Sequence, residues 1–251
     1  MTTVAVLAEP PRPGLVLSSL VETSPLSETE AAELYEAMLK DAALAVSRSG
    51  GELLVNYRAD DDLPDEYVED LSAEDELREI VADAVGDLDD VRFEPQVGST
   101  FSARAGNTVT HLLREEEVSS AAVVTPTVPQ LGRPHIDTAA MKLRSSQVVV
   151  GPSTEGRVFY AGFTEPIDFT DAYETPEIQT LAERADDADL SFEYLQMLPV
   201  VETGADLATL VPILRSRVEV ERLVPKHTTT LVFEWGLSVE EVDGVLELVR
   251  D

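Results

Sequence analysis

The chain has 251 residues, 43% of them hydrophobic, which is enough for one large domain with its own core. Forty-nine acidic residues stand against 18 basic ones, a formal net charge of −31 spread along the whole chain, so no basic stripe exists to displace phosphate counterions and nucleic acid is not an expected partner. The absence of cysteine excludes disulfides, thiolate catalysis and Cys-based metal sites, and no apolar run reaches the ~18 residues of a membrane span.

In chain order, Val4–Ala8 is a short apolar run with the length of a buried strand. Glu9-Pro10-Pro11-Arg12-Pro13-Gly14 follows, a stiff loop that no helix or central strand accommodates. Ser27-Glu28-Thr29-Glu30 is a capping box, and the helix it starts should run to about Ser47. Ala31, Leu34, Tyr35, Met38, Leu39 and Ala42 give that helix one buried face. Leu53–Tyr57 reads as a second strand, Ser72–Val85 as a helix, Val91–Phe93 as a strand and Thr100–Glu116 as a helix. Ala121–Val124 reads as a strand buried on both faces. A helix near Asp137–Leu143 precedes strands at Gln147–Val150 and Val158–Ala161. Pro176 opens a further helix, Leu195–Val201 is a late strand, and Ala205–Ser216 is a helix.

Strands alternating with helices predict an α/β fold, a single mostly parallel sheet flanked by helices. Its ligands would sit at the carboxyl ends of the strands. Residues 1–216 form the expected domain, and 217–251 a C-terminal extension packed on it. Pro225–Trp235 reads as helix or strand; its three threonines favour strand, while Gly236 resembles a helix C-cap. Ser238-Val239-Glu240-Glu241 is a second capping box, so the end of the extension is expected to be helical.

High acid content, three lysines (Lys40, Lys142, Lys226) and few aromatics fit the cytoplasm of a salt-accumulating halophile, a haloarchaeal-type composition. Self-repulsion on this scale is tolerable where salt screens it; at molar salt the Debye length is ~3 Å. The N-terminus lacks the basic segment of a signal peptide, so a cytoplasmic location is expected. Runs such as Asp60-Asp61-Asp62 and Asp186-Asp187 read as solvated acidic surface. His111, His135 and His227 have no metal-ligand spacing.

Several of these segments together resemble the GT-A-like transferases, a group that includes radical-SAM- and selenodomain-associated members. That group is distantly similar to the nucleotidyltransferases. The resemblance spans about residues 3–215. The family's first loop reads Lys-x-Pro-Arg-Pro-Gly-x-Val-Lys-Thr-Arg-Leu; this chain matches it at Pro11, Arg12, Pro13, Gly14, Val16 and Leu20. Glu9, Leu17 and Ser19 stand where the family places cations. Pro95-Gln96 followed by Arg104 keeps a second motif, with Thr100 replacing an aspartate and Ser102 a glycine. Thr125-Pro126-Thr127 stands where the family ends a strand in Gly-Thr-Asp-Ser-Pro, so Thr127 replaces the aspartate. Gly151–Tyr160 resembles Gly-Pro-x-x-Asp-Gly-Gly-Tyr-Tyr, with Glu155 keeping the acid and Arg157 replacing a glycine. Leu198–Leu207 matches a last motif, with Glu202 in place of one acid and another lost.

The resemblance implies a nucleotide-diphospho-sugar transferase-like fold and a glycosyl- or nucleotidyltransferase using a nucleotide-activated donor. A nucleotide or nucleotide-sugar is the implied partner. Arg12, Gly14, Ser18, Ser19, Arg104, Thr127 and Arg157 are the implied nucleotide-binding positions. Glu155 and Glu202 are the implied ligands for Mg²⁺ or Mn²⁺. Both cations and carboxylates are depleted from these motifs, although such transfers depend on neutralising charge at phosphate. The second expectation is therefore a catalytically inactive relative that serves as a ligand-binding or protein-interaction module.

Overall fold

The computed structural model describes residues 1–250. Strand β1 (Thr2–Ala8) is buried along its whole length. Val4, Val6 and Ala8 face one layer of helices, Ala5 and Leu7 the other, the two-residue alternation of a strand covered on both sides. After α1 (Ser18–Thr23) comes α2 (Glu28–Ser47), opened by the expected capping box. Ser27 Oγ accepts from Glu30 N at 3.3 Å, and Ser27 N donates to Glu30 Oε2 at 2.8 Å. Strand β2 (Glu52–Tyr57), α3 (Ala73–Val85), β3 (Val91–Pro95), α4 (Phe101–Arg114) and β4 (Ser120–Val124) follow. Then come α5 (Arg133–Lys142), the hairpin strands β5 (Val148–Pro152) and β6 (Val158–Phe163), α6 (Glu177–Asp187), β7 (Phe192–Tyr194) and α7 (Gly204–Glu219).

The described residues form a seven-stranded sheet in the order β3-β2-β1-β4-β6-β5-β7. It is mostly parallel, with β6 antiparallel to β4 and β5. Helices α2, α3 and α5 pack on one face, through residues such as Leu39, Leu77 and Ile136. Helices α4 and α6 pack on the other, through Val109, Leu112 and Leu181. Among the described residues no helix is long and apolar enough to cross a membrane.

Three local expectations are corrected. Leu195–Val201 is not a strand; the ladder strand is the preceding β7. Beyond it Leu195 N and Leu198 N still bond Val150 O and Pro152 O at 2.8 and 3.2 Å. Pro199 offers no N–H, and the pairing stops. Among the described residues beyond α7, the tail is helical only in α8 (Lys226–Glu234). Ser238–Glu241, read as a capping box, lies instead in β8 (Leu237–Val242), which pairs with β9 (Val245–Arg250). Asp243-Gly244 joins the strands with φ of 52° and 82°, the positive pair that a tight two-residue hairpin turn requires. Finally, Asp60 is not a solvated acid: it pairs with Arg12 and accepts the Ala73 N–H at the start of α3, at 2.9 Å.

The extension packs through Val232 and Leu237 against Leu34 and Met38 of α2 and Leu210 and Leu214 of α7. Its helix is held by Asp41 of α2, whose carboxylate accepts the N–H groups of His227 and Thr228 at 3.0 and 2.8 Å. These are first-turn donors that α8 cannot satisfy internally.

Candidate functional site

From β1 the chain adds β2 and β3 on one side, then crosses to place β4 on the other. The connections that leave the carboxyl ends of β1 and β4 therefore run to opposite sides at the point where the strand order reverses, and a crevice opens there. It is a cleft of about 290 Å³. Its floor is tied by buried Gln96, which follows β3. Gln96 Nε2 donates to the carbonyls of Ala8 and Asn56 at 3.2 and 2.7 Å, and Gln96 N to Tyr57 O at 2.7 Å.

Of the sequence-derived nucleotide positions, Ser18, Ser19, Arg104 and Thr127 line this cleft, as does Glu202. Leu17 lies at its edge with φ 53° and starts α1 without a side-chain cap. Thr127 is buried and donates to Thr125 Oγ1 at 3.2 Å. Phe101 and Arg104 come from the first turn of α4. Thr100, standing where the family has an aspartate, caps that helix by accepting Ala103 N at 3.1 Å. Ser102, standing for a glycine, accepts Tyr173 N at 2.9 Å. Both substitutions serve local structure.

Glu9, at the end of β1, is the acid nearest Arg104. Its Oε1 lies 3.7 Å from Arg104 Nη2, and its Oε2 3.3 Å from Arg58 Nη1. Arg104 is mostly buried, and its Nε has no hydrogen-bond partner. Burial, opposed by Glu9 and aided by Arg58, lowers its affinity for the proton. Tyr35 of α2 also reaches the cleft, where its hydroxyl accepts the Glu9 N–H at 3.0 Å. Burial pushes that phenol up from its ordinary value. Tyr35 lies on the apolar stripe of its helix, so periodicity identifies it as core and gives no sign of the hydroxyl's position.

Arg12 does not join the cleft lining. It is 2% exposed and points into the segment between β2 and α3. Its Nη1 donates to Asp60 Oδ1 at 3.0 Å and to the Tyr67 carbonyl. Its Nε reaches Glu76 Oε2, and its Nη2 the Leu71 carbonyl, each at 3.0 Å. Gly14 turns the loop with φ 82°, and Tyr67 Oη donates to its carbonyl at 3.2 Å. The Pro-Arg-Pro-Gly loop is fastened to its own domain.

Arg157 is likewise committed. It pairs with both oxygens of Asp206, Nη2 to Oδ1 at 2.7 Å and Nη1 to Oδ2 at 3.0 Å. The same Nη1 donates to Glu202 Oε2 at 3.2 Å, and Nε and Nη2 bond the carbonyl and hydroxyl of Thr154. Glu155 stands 73% exposed in a turn, with Oε2 3.7 Å from Arg157 Nη2. Glu155 and Glu202 thus flank a guanidinium. Nearby Glu177 accepts the Val158 N–H at 2.7 Å. Burial first, then the Glu202 charge, pushes its carboxyl up to about 7, against the pull of that bond and of Arg157.

A divalent cation needs several carboxylate oxygens free to converge on it. Around the cleft the donor set does not fit one, because Glu9 is held by Arg58 and Arg104, and Glu202 and Asp206 by Arg157. Elsewhere, among the described residues, Glu94, His111 and Glu116 bring ligand atoms within 4.8 Å of one another. Arg92 already fills that cluster, bonded to Glu94 and, at 2.6 Å, to Glu116. His135 accepts Gly132 N at 3.0 Å at the start of α5.

No protein-family model and no curated protein matches the sequence. Solved structures do. A nucleotide-diphospho-sugar transferase candidate from Desulfovibrio desulfuricans G20 matches with a TM-score of 0.72 and 19% identity, over 93% of this chain and 94% of that one. A cytidylyltransferase from Leptospira borgpetersenii serovar Hardjo-bovis covers 93% of this chain and 92% of its own, with a TM-score of 0.49 and 11% identity. The fold is that of the nucleotide-diphospho-sugar transferases.

Proposed function

We propose that this chain binds a nucleoside-containing ligand in the β1–β4 cleft, without a divalent metal, and does not transfer the group. The observation that carries this reading is the place of Arg157, between Glu202 and Asp206 and bonded to both. Its charge is delocalised and permanent, and its N–H groups engage both acids where the resembled family would use carboxylates. Metal-assisted transfer needs those oxygens free and cations on the phosphates. Arg12, which the family motif directs at phosphate, is spent on Asp60 and Glu76.

Ligand binding is supported by what the cleft keeps. It lies at the strand-order reversal, where such folds hold their ligands. It offers the hydroxyls of Ser18, Ser19 and Thr127, the ring of Phe101 and the guanidinium of Arg104. The acidic composition supports a salt-rich cytoplasm as the setting.

Thermal shift in molar KCl tests the reading. The ligands are GTP, CTP, UTP, UDP-glucose and the parent nucleosides, each with Mg²⁺, Mn²⁺ or EDTA. At least one ligand should stabilise the protein, by ~2.7 kcal/mol at 100 times Kd, equally with metal and with EDTA. Stabilisation that requires the metal, or release of pyrophosphate or nucleoside diphosphate from a donor, would establish the transferase instead.

A further inference from the structure

The charge of the cleft turns on Glu9. Arg104 brings a guanidinium to the lining, and its Nε is buried without a partner. Glu9, which lines the same cleft, holds Oε1 3.7 Å from Arg104 Nη2, so an anion bound at that nitrogen competes with it. The Glu9 carboxylate is also anchored from behind by Arg58 Nη1, at 3.3 and 3.5 Å. Its own backbone N–H is held by Tyr35. The acid is therefore fixed at the end of β1 and does not swing freely into solvent. Glu202 adds a second carboxylate to the lining. Among the lining residues Glu9 and Glu202 outnumber Arg104, with Arg58 and Arg157 paired behind the two acids, within a chain of −31.

A polyphosphate entering this cleft meets like charge and must strip Glu9 from Arg104. An uncharged nucleoside meets no such barrier. Its ribose hydroxyls donate to Glu202, and its carbonyl and ring-nitrogen acceptors take N–H groups of the Arg104 guanidinium and the serine and threonine hydroxyls. Resting on the reading of the cleft as a nucleoside site, we propose that Glu9 sets its charge selectivity. The cleft takes an uncharged nucleoside or a nucleoside-like glycoside, and Glu9 rejects the phosphorylated forms.

The test is calorimetric titration without metal, at the lowest KCl that keeps the protein folded. Adenosine, guanosine, cytidine and uridine are compared with their triphosphates on the wild type, Glu9→Gln and Glu9→Gln/Arg104→Gln. Circular dichroism checks folding; the Glu9 backbone bond to Tyr35 survives the substitution. In the wild type a nucleoside should bind about tenfold or more tighter than its triphosphate. Glu9→Gln should tighten triphosphate binding by about tenfold and leave the nucleoside within about threefold, and the second substitution should remove the gain. Equal wild-type affinity for nucleoside and triphosphate, or an unchanged ratio in Glu9→Gln, would overturn the role of Glu9 and leave the site standing. If no nucleoside or nucleotide binds any of the three proteins, the site itself falls, and this role with it.

Discussion

Arg157 and Asp206 join the β5–β6 hairpin to the first turn of α7 through two parallel hydrogen bonds of 2.7 and 3.0 Å. The same carboxylate accepts the N–H groups of Glu202 and Thr203 at 3.1 and 3.0 Å. Burial raises the Asp206 carboxyl, but the bonds from Arg157 and Thr203 outweigh it and hold it below the ordinary carboxylate value. Through Arg157 Nη1 the pair also holds Glu202, which lines the cleft. Arg157→Ala should cost about 3 kcal/mol of unfolding free energy, because it strands a buried acid. Arg157→Ala/Asp206→Ala should cost less than the sum of the single changes, as read by a double-mutant cycle in denaturant. Additive costs would mean the pair is not coupled.

Arg12 should behave as a structural residue. Its substitution by Met leaves Asp60 and Glu76 without their cation and two carbonyls without donors. The loss should be about 3 kcal/mol, the low end for a buried pair whose acids are partly exposed. Ligand affinity measured on the folded fraction should stay within about twofold of wild type, since Arg12 touches nothing in the cleft.

Glu177 gives the protein a pH dependence near neutrality. Its folded value of about 7 lies above the ordinary 4.5, so the folded chain keeps a proton that the unfolded chain releases. That contribution to stability is complete below the unfolded value and is lost as pH rises through about 7. Melting temperature should therefore fall between pH 5.5 and 8. Glu177→Gln keeps an acceptor for Val158 N without the charge. It should flatten the profile and be more stable than wild type at pH 8, by about 1 kcal/mol after allowance for partial exposure. A wild-type profile as flat as the variant's would count against this assignment.

The C-terminal extension should respond to a substitution 186 residues away. Asp41 accepts two N–H groups at the start of α8, so Asp41→Ala removes the cap on that helix. A loss of about 1–2 kcal/mol is expected. Hydrogen exchange should show it first in residues 226–250, with β1 and β4 still protected. Uniform loss across the sheet would show that the extension does not open separately.

Salt should stabilise the whole chain. A net charge of −31 repels itself at low ionic strength, and molar KCl screens beyond ~3 Å. Melting temperature should climb steadily from dilute buffer to molar KCl, while ion pairs within contact distance persist. No change across that range would contradict the reading of the surface as salt-adapted.

Sequence by itself determined most of the elements. Alternation across Val4–Ala8 and the capping box at Ser27 depend on neighbours within a few residues, and such short-range signals are written locally. The hairpin turn at Asp243-Gly244 is also written locally, and Ser238–Glu241 caps no helix because its residues pair across that turn. Motif order also identified the loop around Arg12 and the residues Ser18, Ser19, Arg104 and Thr127 that the cleft gathers. Only the tertiary structure decided which charges face that cleft. Arg12 is turned away by Asp60 and Glu76, 48 and 64 residues distant. Arg157 is taken by Asp206, 49 residues distant, and Tyr35 is brought to Glu9 from the buried stripe of a helix. A charged side chain commits to whichever opposite charge packing brings within about 3 Å, and no spacing in the sequence encodes that choice.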